Sequence, residues 1–222
     1  LFTQRKDDHY YLMLMATPPK DDVFKRTNTP REVIFIIDSS GSMAGGAMTQ
    51  AKNALNRAIA RLKSTDRFNI IDFDSGFRPL FKGAVPANET NKKNGKYFVN
   101  SRIADGGTEA LDAIEYGLGS RDSNSENYLR QVIFLTDGQV GDEDEIFRTV
   151  KWKIENDRFF SIGIGSAPNS FLLTKLAELG RGAFTYIGST QEVGQKMHDL
   201  FEKLESPALT DIEVDFPPEI NA

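Results

Sequence analysis

Cysteine is missing from this 222-residue chain. Disulfides, thiolate nucleophiles and cysteine-type zinc sites are therefore excluded. The compartment stays open, because a secreted domain of this size needs no covalent staples. Histidine is nearly missing as well, with only His9 and His198. Both lie far in sequence from the clusters of serine and aspartate, so a Ser-His-Asp hydrolase is hard to assemble. The G-x-S-x-G elbow, the P-loop and the H-E-x-x-H pair are not found. No apolar run approaches the roughly 18 residues of a membrane span, and direct membrane insertion is not expected. Positive charge is not in excess: 27 Lys and Arg face 32 Asp and Glu, for a net charge of −5. Nucleic acid is accordingly not expected as a partner. The chain lacks an initial Met and a charged-then-apolar leader, and reads as an excised piece or a mature form.

What is present is a strand–helix rhythm. Residues 33–37 ("VIFII") are continuously apolar, as in a central parallel strand covered on both faces. Residues 47–63 follow with Ala51, Leu55, Ala58, Ile59 and Leu62 at helical spacing. Residues 67–73 predict a strand, Asp74, Ser75 and Gly76 a turn, and residues 77–81 a short partner strand. A polar loop-plus-helix stretch leads to a helix at 108–118, a second apolar strand at 132–136, and an acid-led helix at 142–155. Strands at 159–164 and 183–187 alternate with helices at 170–179 and 189–204, the last opening on a Ser189/Glu192 capping box. This alternation predicts a Rossmann-like, doubly wound α/β fold: a mostly parallel sheet, one short antiparallel edge strand, and helices on both faces. The ends break the rhythm. Strand-like residues at 10–16 and 212–216 suggest flanking β segments, giving a division into 1–31, 32–205 and 206–222.

Both fully apolar strands end in an acid, Asp38 and Asp137. Open parallel sheets bind ligands beyond the carboxyl ends of their strands, where the strand order reverses. If these two strands are neighbours there, two distant acids face one crevice. Asp38, Ser40 and Ser42 form D-x-S-x-S in a glycine-rich loop, and Gly106, Gly107 and Thr108 add another hydroxyl. Two carboxylates and three hydroxyls are hard donors. They suit Mg²⁺ or Mn²⁺, and Ca²⁺ less well, since it takes more carboxylates. Such an ion stays electrophilic enough to accept a further carboxylate from outside.

Those residues resemble the metal-ion-dependent adhesion site (MIDAS) of von Willebrand factor A domains, over roughly residues 32–205. "FIIDSSGSM", "DGGTEALDAI" and "VIFLTDG" look closest to the subgroup of inter-alpha-trypsin inhibitor heavy chains and related bacterial surface proteins. The resemblance implies that Ser40, Ser42 and Thr108 are direct or near-direct metal ligands. Asp38 and Asp137 would act directly or through water, and Met43 and Gly107 would lie on the ligand rim. It further implies a non-enzymatic, cation-dependent protein-binding domain of a larger extracellular or cell-surface protein. The metal would be completed by an Asp or Glu of the partner, and the flanking domains would belong to the same chain. A metal-dependent phosphohydrolase and a structural spacer with an idle metal site stand as alternatives.

Other polar clusters carry blander expectations. Asp72 and Asp74 are read as a half-buried acid and a turn residue rather than a second metal site. The acids at 142–145 are read as complementing a helix dipole, and Lys92, Lys93 and Lys96 as a solvated loop. Trp152, the single tryptophan, is expected to pack.

Overall fold

Strand β3 (Arg31–Asp38) is buried along its whole length, and it forms the centre of the sheet. The structure, a computed structural model, describes residues 2–7, 9–13, 30–123 and 125–205. Thr29–Ser206 forms one compact unit. In it, β3 lies parallel to β4 (Arg67–Phe73) on one side and to β7 (Leu129–Thr136) on the other. Next come β8 (Arg158–Ile164) and β9 (Phe184–Ile187), also parallel. Counted in chain order, the five parallel strands run 2-1-3-4-5 across the sheet. The order therefore reverses between β3 and β7, and this junction is the switch point of a doubly wound sheet.

The far edge departs slightly from expectation. Beside the expected antiparallel strand, here β5 (Phe77–Pro79), a second short one, β6 (Val85–Pro86), also pairs with β4. Pro86 cannot donate a ladder hydrogen bond, which confines such a strand to an edge.

Alternation along β3 sorts its side chains between two cores. Val33, Phe35 and Ile37 pack with Leu55 and Ile59 of α1 (Gly46–Arg61), Val99 of α2 (Glu89–Asn100), and Leu200 and Phe201 of α6 (Val193–Glu205). Ile34 and Ile36 pack with Ile114 of α3 (Ala110–Gly119), Ile146 of α4 (Glu143–Lys153) and Leu172 of α5 (Ser170–Leu179). Among the described residues, no helix is long and apolar enough to cross a membrane.

Several local expectations are corrected. Helix α6 starts at Val193, four residues later than the capping box implies, and the Glu192 carboxylate accepts from Gly188 N–H at 3.2 Å. Lys92, Lys93 and Lys96 lie on helix α2 rather than in a loop. Trp152 is 80% exposed. It sits two positions from buried Val150, which at 100° per residue turns it to the opposite face. The expected strand at 212–216 and the last residues of the expected strand at 10–16 lie outside the described residues. Within the other unit, β1 (Phe2–Lys6) and β2 (His9–Met13) form an antiparallel hairpin.

The amino ends of the strands carry a buried ionic cluster. The Arg130 guanidinium donates to Glu32 at 2.8 Å and to Asp157, and to the carbonyls of Gly117 and Leu118 at the end of α3. Arg67 pairs with Glu32 and Asp122, and Arg121 with Asp157. Removing one partner strands the others without water. Arg130→Met should therefore lower unfolding free energy by about 3–5 kcal/mol in chemical denaturation. A loss well under about 1 kcal/mol, the usual size for a solvated pair, would contradict the cluster's role.

Candidate metal centre

Three loops converge at the carboxyl end of the β3–β7 junction. The first begins at Asp38, which has no exposed surface. Its Oδ1 accepts from Ser40 N–H at 2.8 Å and its Oδ2 from the Thr136 hydroxyl at 2.5 Å. Thr136 in turn accepts Gly138 N–H at 2.8 Å. The sheet register makes this chain possible, since Ile37 pairs with Leu135 and the next residues along each strand are Asp38 and Thr136. A tight turn at Gly41–Met43 follows. It sets Ser40 Oγ and Ser42 Oγ 3.0 Å apart, with Ser40 buried and Ser42 exposed. Met43 is not on a rim: it has no exposed surface and packs in the core with Phe35 and Leu55. In a turn with three residues per revolution, positions i and i+3 share a side, so Met43 follows Ser40 inward.

The second loop carries Thr108. Asp105 N–H donates to Ser39 O at 2.9 Å, and Gly41 N–H donates to Gly106 O at 3.1 Å. These bonds stitch the Gly106–Gly107–Thr108 segment to the D-x-S-x-S loop. Thr108 is half-buried and Gly107 is exposed; helix α3 starts two residues after Thr108, at Ala110.

The third loop begins at Asp137, 8% exposed. Its Oδ1 accepts from Gln139 N–H at 3.1 Å, and its carbonyl accepts from Asn169 N–H at 3.2 Å. Gly138 has φ +78°, and a Cβ there would lie 2.7 Å from the Asn169 nitrogen, so only glycine fits behind this acid. Ser42 and Asp137 line one open depression of about 390 Å³, together with Gln50, Gln139 and the loop after β8.

Burial pushes Asp38 above its ordinary 3.8, and the negative charge of Asp137 adds to the rise, against the lowering effect of the Ser40 and Thr136 hydrogen bonds. Among the described residues, no three carboxylate or histidine side chains gather where they could hold a metal ion. A cation here has to draw on hydroxyls. The donor set fits one: two adjacent ligands of an octahedral ion at about 2.1 Å are separated by about 3.0 Å, the spacing of Ser40 Oγ and Ser42 Oγ.

The remaining acidic clusters are accounted for by other interactions. Arg78 donates to Asp72 at 2.7 Å and to Asp74 at 2.5 Å, and Arg102 donates to Asp72 at 3.3 Å. The Arg78 guanidinium holds Asp74 below its ordinary value. Asp72 is fully buried rather than half-buried, and Asp74 opens the turn as expected. The acids Glu143, Asp144 and Glu145 occupy the first turn of α4, where the helix dipole favours them.

A mostly parallel sheet with a hydroxyl-and-carboxylate crevice at its switch point defines a Rossmann-like, doubly wound domain. The profile of the von Willebrand factor type A domain matches residues 31–186, and the chain belongs to that family. A von Willebrand factor A domain-containing protein of Dictyostelium discoideum is 34% identical over 201 residues, 90% of this chain and 21% of that protein. The chain thus spans about a fifth of the length of such curated relatives. Among solved structures, a von Willebrand factor type A protein from Catenulispora acidiphila superposes with a TM-score of 0.67 at 23% identity, covering 77% of this chain and 42% of that one. Proximal thread matrix protein 1 of the mussel byssus, with a zinc-occupied MIDAS motif, superposes with a TM-score of 0.62 at 16% identity, covering 80% and 48%.

The raised Asp38 value has a testable sign. The unfolded chain ionises first as pH rises above 3.8, so ionisation of Asp38 favours unfolding, and the cost is complete above its raised folded value. In chelator at pH 7, Asp38→Asn should melt at a higher temperature than the parent, and the advantage should shrink as pH falls toward 3.8. A lower melting temperature for Asp38→Asn at pH 7 would contradict this.

Proposed function

We propose that the domain holds a divalent cation through Ser40, Ser42 and Thr108, with Asp38 and Asp137 acting directly or through water, and uses it to bind a protein partner. The observation that carries this reading is the 3.0 Å Ser40–Ser42 hydroxyl pair, held by an amide-anchored buried carboxylate. An all-oxygen donor set favours Mg²⁺ or Mn²⁺ over Ca²⁺, which wants more carboxylates, and over zinc, which favours nitrogen and sulfur. The zinc-occupied motif of the mussel byssus protein supports cation binding by this type of site.

The bound cation supplies a positive corner that an outside Asp or Glu carboxylate completes. The chain's residues do the rest. Asp38 fixes the Ser40 amide and, through Thr136, the start of the Asp137 loop. Asp137 holds a second negative charge beside the site. The open depression next to Ser42 and Asp137 leaves room for the residues that neighbour the partner's acid.

The reading is non-enzymatic. A metal-dependent phosphohydrolase would add a phosphate-gripping Lys or Arg to the metal, and the motif loops contain neither; Arg78 and Arg102 are engaged by Asp72 and Asp74. His198 sits on α6, bonded to Arg61 and paired with Glu202. We read the domain as part of a longer, surface-exposed protein of the inter-alpha-trypsin inhibitor heavy chain type, between further β modules.

Calorimetric titration with MgCl₂ and MnCl₂ tests the site. The parent should release or take up heat at a single site, Ser42→Ala should bind on the order of tenfold more weakly, and Asp38→Ala should show no saturable heat. Equal heats from the parent and Asp38→Ala would overturn the reading. Turnover of phosphoesters in Mg²⁺ would replace the adhesive role with an enzymatic one.

A further inference from the structure

The segment carrying Thr108 is suspended between two supports. One is the D-x-S-x-S loop, through the Asp105–Ser39 and Gly41–Gly106 bonds already described. The other is the turn between β4 and β5. Gly107 N–H donates to Ser75 Oγ at 2.7 Å, and Glu109 N–H donates to Asp74 O at 2.7 Å. These two bonds sit immediately before and after Thr108. Gly106, at φ +90°, lies so close that a Cβ on it would come within 3.1 Å of Ser75 Oγ.

The turn is itself braced. Asp74 N–H donates to Gly76 O at 2.9 Å, and Gly76 N–H donates to Asp74 Oδ1 at 3.2 Å. Arg78 ties Asp74 to the fully buried Asp72, which also accepts from Arg102, a few residues before the Thr108 segment. Ser75 is exposed, lies outside the D-x-S-x-S, Thr108 and Asp137 positions, and spends its hydroxyl on the Gly107 amide.

We propose, resting on the cation-site reading above, that Ser75 is a positioning residue for the metal centre. Its hydroxyl oxygen accepts the Gly107 amide and fixes where Thr108 stands relative to Ser40 and Ser42. Two adjacent glycines give this segment wide backbone freedom. Without the Ser75 acceptor, the freedom has to be lost when the cation binds, and affinity falls. The cost is confined to the site, because an exposed hydroxyl on a turn contributes little to the core.

The test is titration of the full 222-residue chain with MnCl₂ alone, for the parent, Ser75→Ala, Ser75→Thr, Thr108→Ala and the Ser75→Ala/Thr108→Ala pair. Ser75→Ala should bind Mn²⁺ on the order of tenfold more weakly, and Ser75→Thr should restore the affinity. Adding Ser75→Ala to Thr108→Ala should cause no further loss, since the first acts through the second. In chelator, the melting temperature of Ser75→Ala should match the parent, while its Gly107 amide exchanges faster with solvent. Parental Mn²⁺ affinity in Ser75→Ala, with Thr108→Ala weakened, overturns the positioning role alone. So does an equal loss in both backgrounds, which would make Ser75 merely structural. Parental affinity in Thr108→Ala as well overturns the cation site itself.

Discussion

Burial of the Asp38 carboxylate at the end of the central strand constrains everything around it. A charged group taken out of water costs several kcal/mol unless hydrogen bonds or a counter-ion offset it. Here both oxygens are satisfied by neutral donors, Ser40 N–H and the Thr136 hydroxyl. Neutral donors reduce the cost without removing it, and the group remains above its ordinary value. In the proposed reading, a cation seated beside it offsets this remaining cost. On that reading, part of the stability given up without metal is regained on binding, so that the site trades fold stability for ligand affinity.

The two ends of the sheet divide the work. At the amino ends, Arg130, Arg67 and Arg121 face Glu32, Asp122 and Asp157, so buried charge is neutralised within the chain. At the carboxyl ends, Asp38 and Asp137 meet no Lys or Arg of the motif loops. The 2-1-3-4-5 strand order places that imbalance at the one junction where the helices after β3 and β7 leave on opposite faces and open a crevice. Glycine then allows the loops to close on it: Gly138 lets the Asp137 loop pass Asn169, and Gly106 lets the Thr108 segment approach Ser75.

Much of this was legible in the sequence because two strong signals coincide. A short, β-branched apolar run such as Val33 to Ile37 reads as a central strand when glycines follow it, and Ala51, Leu55 and Ile59 recur at helical spacing. The Asp38–Thr136 bond was not read from the sequence, because it depends on the register that pairs Ile37 with Leu135. The misreadings have separate causes. Met43 follows Ser42 in a polar loop and invites assignment to the rim, but the three-residue turn returns it to the core. Trp152 was assigned to packing by its apolar character, although its spacing from Ile146 and Val150 turns it outward. Ser75 was legible only as a turn residue. Its contact with Gly107 spans 32 positions and depends on how a β hairpin approaches a loop, which no local pattern encodes.

The account rests on hydroxyls and carboxylates from three loops sharing one cation. Anomalous diffraction from crystals of the domain grown with Mn²⁺ addresses it directly. The expected result is one anomalous peak at about 2.1 Å from both Ser40 Oγ and Ser42 Oγ, with Asp38 still bonded to the Ser40 amide. A peak elsewhere, or none at saturating Mn²⁺, would contradict it.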